Sequence, residues 1–558
     1  MPHDDHIDKP YLPNRKDFHL EKGTVMKSLM KKVFAAAAAI ATVFGLAATT
    51  VATANAADNA TLTVSTTDAK FAGKTVNAYK MFSATVSGDG GSKAVSYTLT
   101  DAWKPFFKNS TASGLTGATD ENVNDKANDY VSKLKGEDLV AFATKASNWA
   151  QTKTNGIMAG ATAMVSADAT NGSYTATFTD LDYGYYVVAV PGATLANASG
   201  QYATLVSVDS TNVNTNIKGD LPTVDKKVQV GGTGKDATDA KIGDTLTFTL
   251  TSTIPDMSAY DTYTFNFKDT LSQGLTFGQV TSVTVDGVTD PLTVNTDYTV
   301  TTPTTSDNTL TVSMKDFKKQ QANAGKKITV TYTATLNKDA VVGGHGNTNS
   351  ATIQYSNNPS SGGTGESEPS KVRVFTYGFT VDKYTGDKYD DDATRLAGAE
   401  FALAPKNGTA MSFVQVDAGS ATANAVYRVA KAGETDTTTT ITTPANGKVV
   451  FQGLENGEYT LTETKAPAGY NKLASAIGVK VDGKNDGTDT TDATVAITYN
   501  NDNGNSYNQT ASNGVIPVQN KSGAILPGTG GMGTIAFTVI GVLVIALGVA
   551  WTLKRKNA

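Results

Sequence analysis

The strongest constraint on this chain is an alternation of period two. Leu246, Phe248 and Leu250 alternate with Thr245, Thr247 and Thr249. Ile328, Val330, Tyr332, Ala334 and Leu336 repeat the pattern. Successive side chains of a strand point to opposite faces, so these segments bury one face and show Thr on the other. That pattern predicts antiparallel sheets, each packed on one side.

Composition agrees and narrows the function. Gly is frequent at 52 residues, and Thr, Asn and Asp are abundant, which suits strands joined by turns. A length of 558 residues allows three or four domains. The formal charge of -5 carries no nucleic-acid footprint. There are no cysteines, so disulfides and thiolate metal sites are excluded. Of four histidines, His3, His6 and His19 precede a secretory signal, leaving only His345 after processing. A Ser-His-Asp triad or a His-based zinc site is therefore not expected, and no cofactor or metal is predicted. Asp390, Asp391 and Asp392 suggest a calcium loop, but a solvated turn is the favoured reading.

Both ends carry targeting signals. Met26 opens a secretory signal: Lys27, Lys31 and Lys32 are its charged region, Val33 to about Leu46 its apolar region. Ala54-Asn55-Ala56 reads as the cleavage site, with Ala57 as the mature start. The first 25 residues are polar, so either translation starts at Met26 or Met30, which is the favoured reading, or the signal is unusually extended. At the other end Leu526-Pro527-Gly528-Thr529-Gly530 precedes an apolar run from about Ile535 to Leu553, then Lys554, Arg555 and Lys556. The run has roughly the 20 residues of a transmembrane helix. The basic residues stop it in the cytoplasm. This order resembles the LPxTG sorting signal of Gram-positive surface proteins, which implies that a sortase cleaves between Thr529 and Gly530.

Between the signals the chain divides into three. Residues 57–219 open with strand-like Leu62-Thr-Val-Ser and Thr75-Val-Asn-Ala-Tyr and end with Tyr185-Tyr-Val-Val-Ala-Val. Within them residues near 120 to 152 read as helix: Val131, Leu134, Phe142 and Ala146 share a face, and Asp120 is the expected cap. Residues 220–375 and 376–525 are short strands and turns. The predicted fold class is all-β, with tandem immunoglobulin-like β-sandwich domains and an added helix in the first. Residues 1–56 hold the N-terminal extension and signal peptide, and residues 526–558 the sorting signal with its transmembrane helix.

Strand parity also puts charged residues on the inner faces. Phe379, Val381 and Lys383 share a face; so do Tyr459, Leu461 and Glu463; so do Ile516, Val518 and Asn520. In the preceding segment Val224, Lys226, Val228 and Val230 share a face, as do Phe265, Phe267 and Asp269, and Asn349, Ala351, Ile353 and Tyr355. In both segments the lysine is expected on the first strand and the amide on the last. Burial drives an amine and a carboxyl toward their neutral forms. A neutral amine is a nucleophile, and a protonated acid can polarise an amide carbonyl and shuttle protons. The expected product is a Lys–Asn isopeptide bond, with ammonia released. The competing reading is an ordinary buried ion pair, or strand-end charges that snorkel outward.

Several stretches then resemble a known family. Val381-Asp-Lys383, Leu396-Ala-Gly-Ala-Glu-Phe401 and Tyr459-Thr-Leu-Thr-Glu-Thr-Lys-Ala-Pro-Ala-Gly-Tyr470 resemble a collagen-adhesin B-type repeat. Pro222-Thr-Val-Asp-Lys226, Ile242-Gly-Asp-Thr, Asp269-Thr-Leu-Ser and Asn349-Ser-Ala-Thr-Ile-Gln-Tyr355 resemble the second domain of isopeptide-forming fimbrial backbone proteins. With the sorting signal, the chain resembles a major pilin of sortase-assembled Gram-positive pili. The resemblance implies triads of Lys226, Asp269 and Asn349, and of Lys383, Glu463 and Asn520. It implies a structural subunit, not an enzyme, in a fimbrium anchored to the cell wall and supporting adhesion. The partners it implies are a class C-type pilin sortase, a housekeeping sortase, identical subunits, minor pilins, peptidoglycan and a host glycan or matrix receptor. The membrane holds the chain only before sorting. The alternative is a monomeric wall-anchored adhesin, or a tip or base pilin.

The resemblance also implies a lysine that accepts the Thr529 carbonyl of another subunit. The Tyr-Pro-Lys motif of many relatives is absent here. Lys218, in Asn216-Ile217-Lys218-Gly219-Asp220, is chosen by position and expected exposure. In the first segment Lys80 falls with Val76, Ala78 and Phe82, and Asp180 with Ala176 and Phe178. Asn212, Asn214 and Asn216 are all open as a third partner there.

Overall fold

In the computed structural model the described residues are 59–523, apart from 89–92, 168–171, 194–202, 360–361, 390, 486, 489–490 and 501–506. The secretory signal, the Leu526–Gly530 pentapeptide and the apolar run after it lie outside the described residues. Among the described residues no helix is long and apolar enough to cross a membrane.

The architecture is mostly β, as the alternation predicts, and is built of paired sheets in sequence. In the N-terminal region Ala60–Thr66 lies between Tyr174–Leu181 and Asn212–Asn216 in one sheet. The facing sheet runs Ala94–Leu99, Thr75–Ser87, Gly184–Ala189, Ala203–Val208. Helices Val123–Lys133 and Gly136–Gln151 cover the outer face of that second sheet, where Phe82, Tyr185 and Val187 share an aromatic core with Trp103, Phe106, Phe107 and Phe142. Gly184–Ala189 is thus buried on both faces, which is why it reads as a continuous apolar run. The helical stretch is two helices, parted at Leu134 and Lys135. Asp120 does not cap the first of them; Asn122 holds that position, and Asp120 pairs with Lys108 at 2.6 Å.

The next sandwich has one sheet in the order Thr233–Lys235, Asp225–Val230, Thr245–Thr253, Lys327–Leu336, Leu275–Val285. Its partner runs Ala237–Asp239, Ser370–Phe375, Asn347–Ser356, Phe265–Leu271, Thr309–Met314, Tyr298–Thr301. Phe248, Leu250, Val330 and Tyr332 face inward against Phe265, Phe267, Ala351 and Ile353, all buried.

In the following sandwich Tyr377–Tyr384 lies between Lys448–Leu454 and Val515–Gln519, pairing with the latter in parallel. The facing sheet carries Glu400–Pro405, Gly457–Lys465, Ile477–Lys484 and Thr494–Tyr499.

A hydrogen-bonded seam joins these last two sandwiches. Ile242 N–H donates to the Gly453 carbonyl at 3.0 Å, and Asn456 N–H to Asp239 at 3.0 Å. Gly453 has φ +84°, and a Cβ there would come within 2.6 Å of Ile242 Cδ1, so only glycine lets the two surfaces close. On another side of the seam Asp492 meets His345 at 2.7 Å and Arg373 at 3.0 Å.

Candidate functional site

Two groups of buried polar side chains stand out, one in each of these sandwiches. In the first, Lys226 projects from Asp225–Val230 into the interior, where the alternation puts every second residue. Asp269 and Asn349 project from adjacent strands of the opposite sheet, which are registered Asp269 to Ala351 and Leu271 to Asn349. All three are fully buried. Lys226 Nζ lies 2.5 Å from Asp269 Oδ2 and 2.9 Å from the Tyr332 hydroxyl. The hydroxyl also lies 2.5 Å from Asp269 Oδ2 and accepts from Asn349 Nδ2 at 2.6 Å. The Lys226 ammonium position sits over the rings of Phe248 and Tyr332, each centroid 5.1 Å away.

Electrostatics follow from this dry setting. Burial pulls the Lys226 amine below its ordinary pKa, against the opposing pull of Asp269. Burial, then Asp269, pushes the Tyr332 hydroxyl well above the tyrosine range. Asp269 Oδ1 and Asn349 Oδ1 are buried without a hydrogen-bond partner among the described residues. Nearby Asn347 has the same parity and the same burial, but its amide is bound by backbone: Nδ2 donates to the Val374 carbonyl at 3.1 Å and Oδ1 accepts from Val341 N–H at 2.9 Å. Asn347 is fixed as a strut, and Asn349 is left with an open carbonyl and an amide nitrogen that shares the Tyr332 hydroxyl with the Lys226 amine.

The second group has a different layout. Lys383 and Asn520 come from the same sheet, where Lys383 is registered to Val518 across a parallel pair and Asn520 follows two residues on. Glu463 reaches across from the facing sheet. Lys383 Nζ lies 3.2 Å from Glu463 Oε1 and donates to the Val518 carbonyl at 3.3 Å. Asn520 Nδ2 donates directly to Glu463 Oε2 at 3.0 Å and to the Asn471 carbonyl at 2.9 Å. The Leu473 N–H also holds Glu463 Oε2, at 2.7 Å. Burial lowers the Lys383 amine to about 8, opposed by Glu463. At pH 7 about one molecule in ten then carries the neutral, nucleophilic amine.

In one group the amide nitrogen donates to the Tyr332 hydroxyl and in the other to the Glu463 carboxyl, and in both the carbonyl oxygen has no hydrogen-bond partner among the described residues. The expected polarisation of the carbonyl by the acid is therefore not the observed arrangement. Asn349 also does not lie on a closing strand: Ser370–Phe375 follows it and pairs alongside. Parity selects the inward residues but not the order of strands in the sheet.

The N-terminal region does not assemble the Lys80–Asp180 pair. A β-bulge where Tyr174–Leu181 crosses Ala60–Thr66 breaks the alternation, giving the inward place to Leu181 and turning Asp180 outward at φ +58°. Lys80 pairs with Asp182 instead, both part-exposed. Asn212, Asn214 and Asn216 are all exposed. Lys218 follows that edge strand, but it is half-buried in a narrow cleft with Val64, Val76 and Val190 rather than freely exposed. Three groups escape the reading by parity: the Tyr332 hydroxyl, the Asn471 carbonyl, and the buried pair of Asp382 and Arg395 at 3.0 Å, which lies one residue from Lys383. Tyr332 was legible as inward-facing, but nothing in the sequence tied its hydroxyl to the triad.

With the geometry in view, the class of the modules is clear. Residues 242–359 match the family model of the Gram-positive pilin backbone subunit 2, Cna-B-like domain, and residues 382–496 match the SpaA prealbumin-like fold domain. The chain thus carries a stretch that matches a pilin-backbone module, followed by one that matches a prealbumin-like module. Among individual proteins, it is 26% identical over 273 residues to the trypsin-resistant surface T6 protein of Streptococcus pyogenes serotype M6, covering 46% of this chain and 44% of that protein. The chain thus spans less than half the length of that curated relative. Solved structures similar to it include the T6 backbone pilin of the same serotype (18% identity, TM-score 0.45, 83% of this chain and 98% of that one). The major pilin SpaD of Corynebacterium diphtheriae is another (21% identity, TM-score 0.38, 74% and 89%).

Proposed function

We propose that this chain is the structural subunit of a covalently polymerised pilus on a Gram-positive surface. The reading rests on one observation: two consecutive sandwiches each bury a lysine against an acid, with an asparagine amide held to that acid directly or through one tyrosine hydroxyl. In each, the neutral lysine Nζ attacks the asparagine Cγ. A C–N bond forms, the bond to Nδ2 breaks, and ammonia leaves with a proton that began on the lysine. Asp269 and Glu463 are the acids that assist. The chain does no chemistry on other molecules. After secretion a pilin sortase cleaves after Thr529 and passes its carbonyl to Lys218 of another subunit. A housekeeping sortase then joins the fibre to peptidoglycan, with minor pilins and host receptors as further partners.

The design suits tension. A fibre one subunit wide fails when a subunit unfolds under pull, so the rate of unfolding matters more than equilibrium stability. Isopeptides carry the force through covalent bonds, and they do so in a chain without cysteine.

The test is to produce the full chain in a Gram-positive host with a pilin sortase and examine cell-wall extracts. A ladder of covalent multimers that collapses to monomer in Lys218→Ala supports the reading. A ladder that persists in Lys218→Ala moves the junction to another lysine. Anchored monomer alone in the parent chain would leave a wall-bound adhesin or minor pilin. Peptide mapping of the same material reports the Lys226–Asn349 and Lys383–Asn520 crosslinks.

A further inference from the structure

Tyr332 is the group that the triad of lysine, aspartate and asparagine leaves unexplained. It contributes one hydroxyl to a fully buried site, and that hydroxyl touches every other member. It meets Asp269 Oδ2 at 2.5 Å, Lys226 Nζ at 2.9 Å and Asn349 Nδ2 at 2.6 Å. No hydrogen bond links Asp269 directly to Asn349; the side-chain hydrogen bonds between them run through the hydroxyl. The ring is held for this position. It stacks on Phe248 with centroids 5.3 Å apart and 16° between planes, and Phe277 packs at 6.0 Å.

The other site shows what the hydroxyl replaces. There the acid is glutamate, one methylene longer, and Glu463 Oε2 reaches Asn520 Nδ2 itself at 3.0 Å. No hydroxyl stands between them. Asp269 with Tyr332 spans the distance that Glu463 spans alone.

We propose that Tyr332 is a catalytic residue of the sandwich that holds Lys226, relaying the proton from Asp269 to the departing nitrogen of Asn349. This rests on the isopeptide reading above. The neutral Lys226 Nζ adds to Asn349 Cγ, which leaves an extra proton on that nitrogen and a negative charge on Oδ1. Asp269 Oδ2 takes the proton. Tyr332 gives its own hydroxyl proton to Nδ2 and receives the one Asp269 holds. The bond from Cγ to Nδ2 then breaks and ammonia leaves. Oδ1 returns to a carbonyl, and Tyr332 and Asp269 end as they began. Burial holds the proton on Tyr332 until a base as close as Nδ2 can take it.

The experiment follows both crosslinks in the full chain, produced in a short pulse and sampled over time, digested and quantified by mass spectrometry. The variants are Tyr332→Phe, Asp269→Glu and the two combined. Tyr332→Phe keeps the ring and removes only the hydroxyl. General acid–base groups contribute on the order of 100-fold or more, so Lys226–Asn349 should form at least about 100-fold more slowly in it. The Lys383–Asn520 crosslink of the same molecules should complete on the parent's schedule. Adding Asp269→Glu to Tyr332→Phe should restore the crosslink, because the longer acid reaches the amide as Glu463 does. A purely packing role for Tyr332 would not be rescued by lengthening the acid. Formation in Tyr332→Phe at the parent rate overturns the relay, and so does a slow variant that Asp269→Glu does not rescue. Absence of the Lys226–Asn349 crosslink in the parent chain overturns instead the reading on which the relay rests.

Discussion

The two buried sites bring the same three chemical groups together by opposite routes. In the Lys226 site the amine comes from one sheet and the acid and amide from the other. In the Lys383 site amine and amide sit in one sheet, on neighbouring parallel strands, and only the acid crosses the interior. A bond at the first would clamp the two sheets of a sandwich together. A bond at the second would lock two strands against sliding. What matters for the chemistry is the reach between acid and amide, and the fold leaves open which sheet supplies which partner.

Removing the amide should have the largest effect. Asn349→Ala and Asn520→Ala each open a covalent loop of more than a hundred residues, and loop-closure entropy puts the loss at about 4–5 kcal/mol. Thermal unfolding of the two variants should show losses of similar size despite the different layouts. If one variant unfolds like the parent, that site carries no bond.

A smaller effect is expected from pH. In Asn520→Ala the Lys383 amine stays free, and burial holds its folded pKa at about 8, below the ordinary 10.5. The unfolded chain then binds more protons than the folded one between those values, so stability should rise with pH from about 8 to about 10.5. The gain should approach about 3 kcal/mol and be flat below pH 8. Denaturant melts against Lys383→Met in the same background isolate it. Parallel slopes in both would remove Lys383 from the titration.

Glu463→Asp sharpens the comparison further. It shortens the acid at the site that has no bridging hydroxyl, so formation of Lys383–Asn520 should slow by about 100-fold, read by peptide mapping. Unchanged formation would mean that reach does not divide the two sites. The smallest effect is expected from Lys80→Met. That lysine makes a part-exposed pair with Asp182. Its loss should cost less than about 1 kcal/mol in a thermal melt. A much larger cost would assign Lys80 a role that its surroundings do not suggest.

How far the sequence carried the argument depends on how regular each strand is. Where the alternation runs unbroken, as in Phe265–Leu271, parity places Asp269 inside; in Tyr377–Tyr384 it places Lys383 inside but misses Asp382, which is buried next to it. At Asp180 one bulge reverses the faces, and no residue in that stretch announces it. Parity is also blind to partners. It puts Asn347 and Asn349 on the same face, and only the backbone around Asn347 shows that its amide is already bound. The Tyr332 hydroxyl was out of reach because its partners lie on strands far apart in the chain, and the Asp382–Arg395 pair because it depends on how the chain turns back after Tyr377–Tyr384.

The seam at Gly453 sets how such a molecule can bend. Ile242 is lodged against a glycine that has no side chain to yield, and polar contacts brace the joint through Asp239 on one side and Asp492 on another. The two sandwiches therefore meet through backbone hydrogen bonds, a close-packed glycine and ion pairs, so a change in their angle would have to break these contacts. A filament of these chains would then take up little of its curvature at this joint. Its flexibility would come from the other junctions along the chain and between chains.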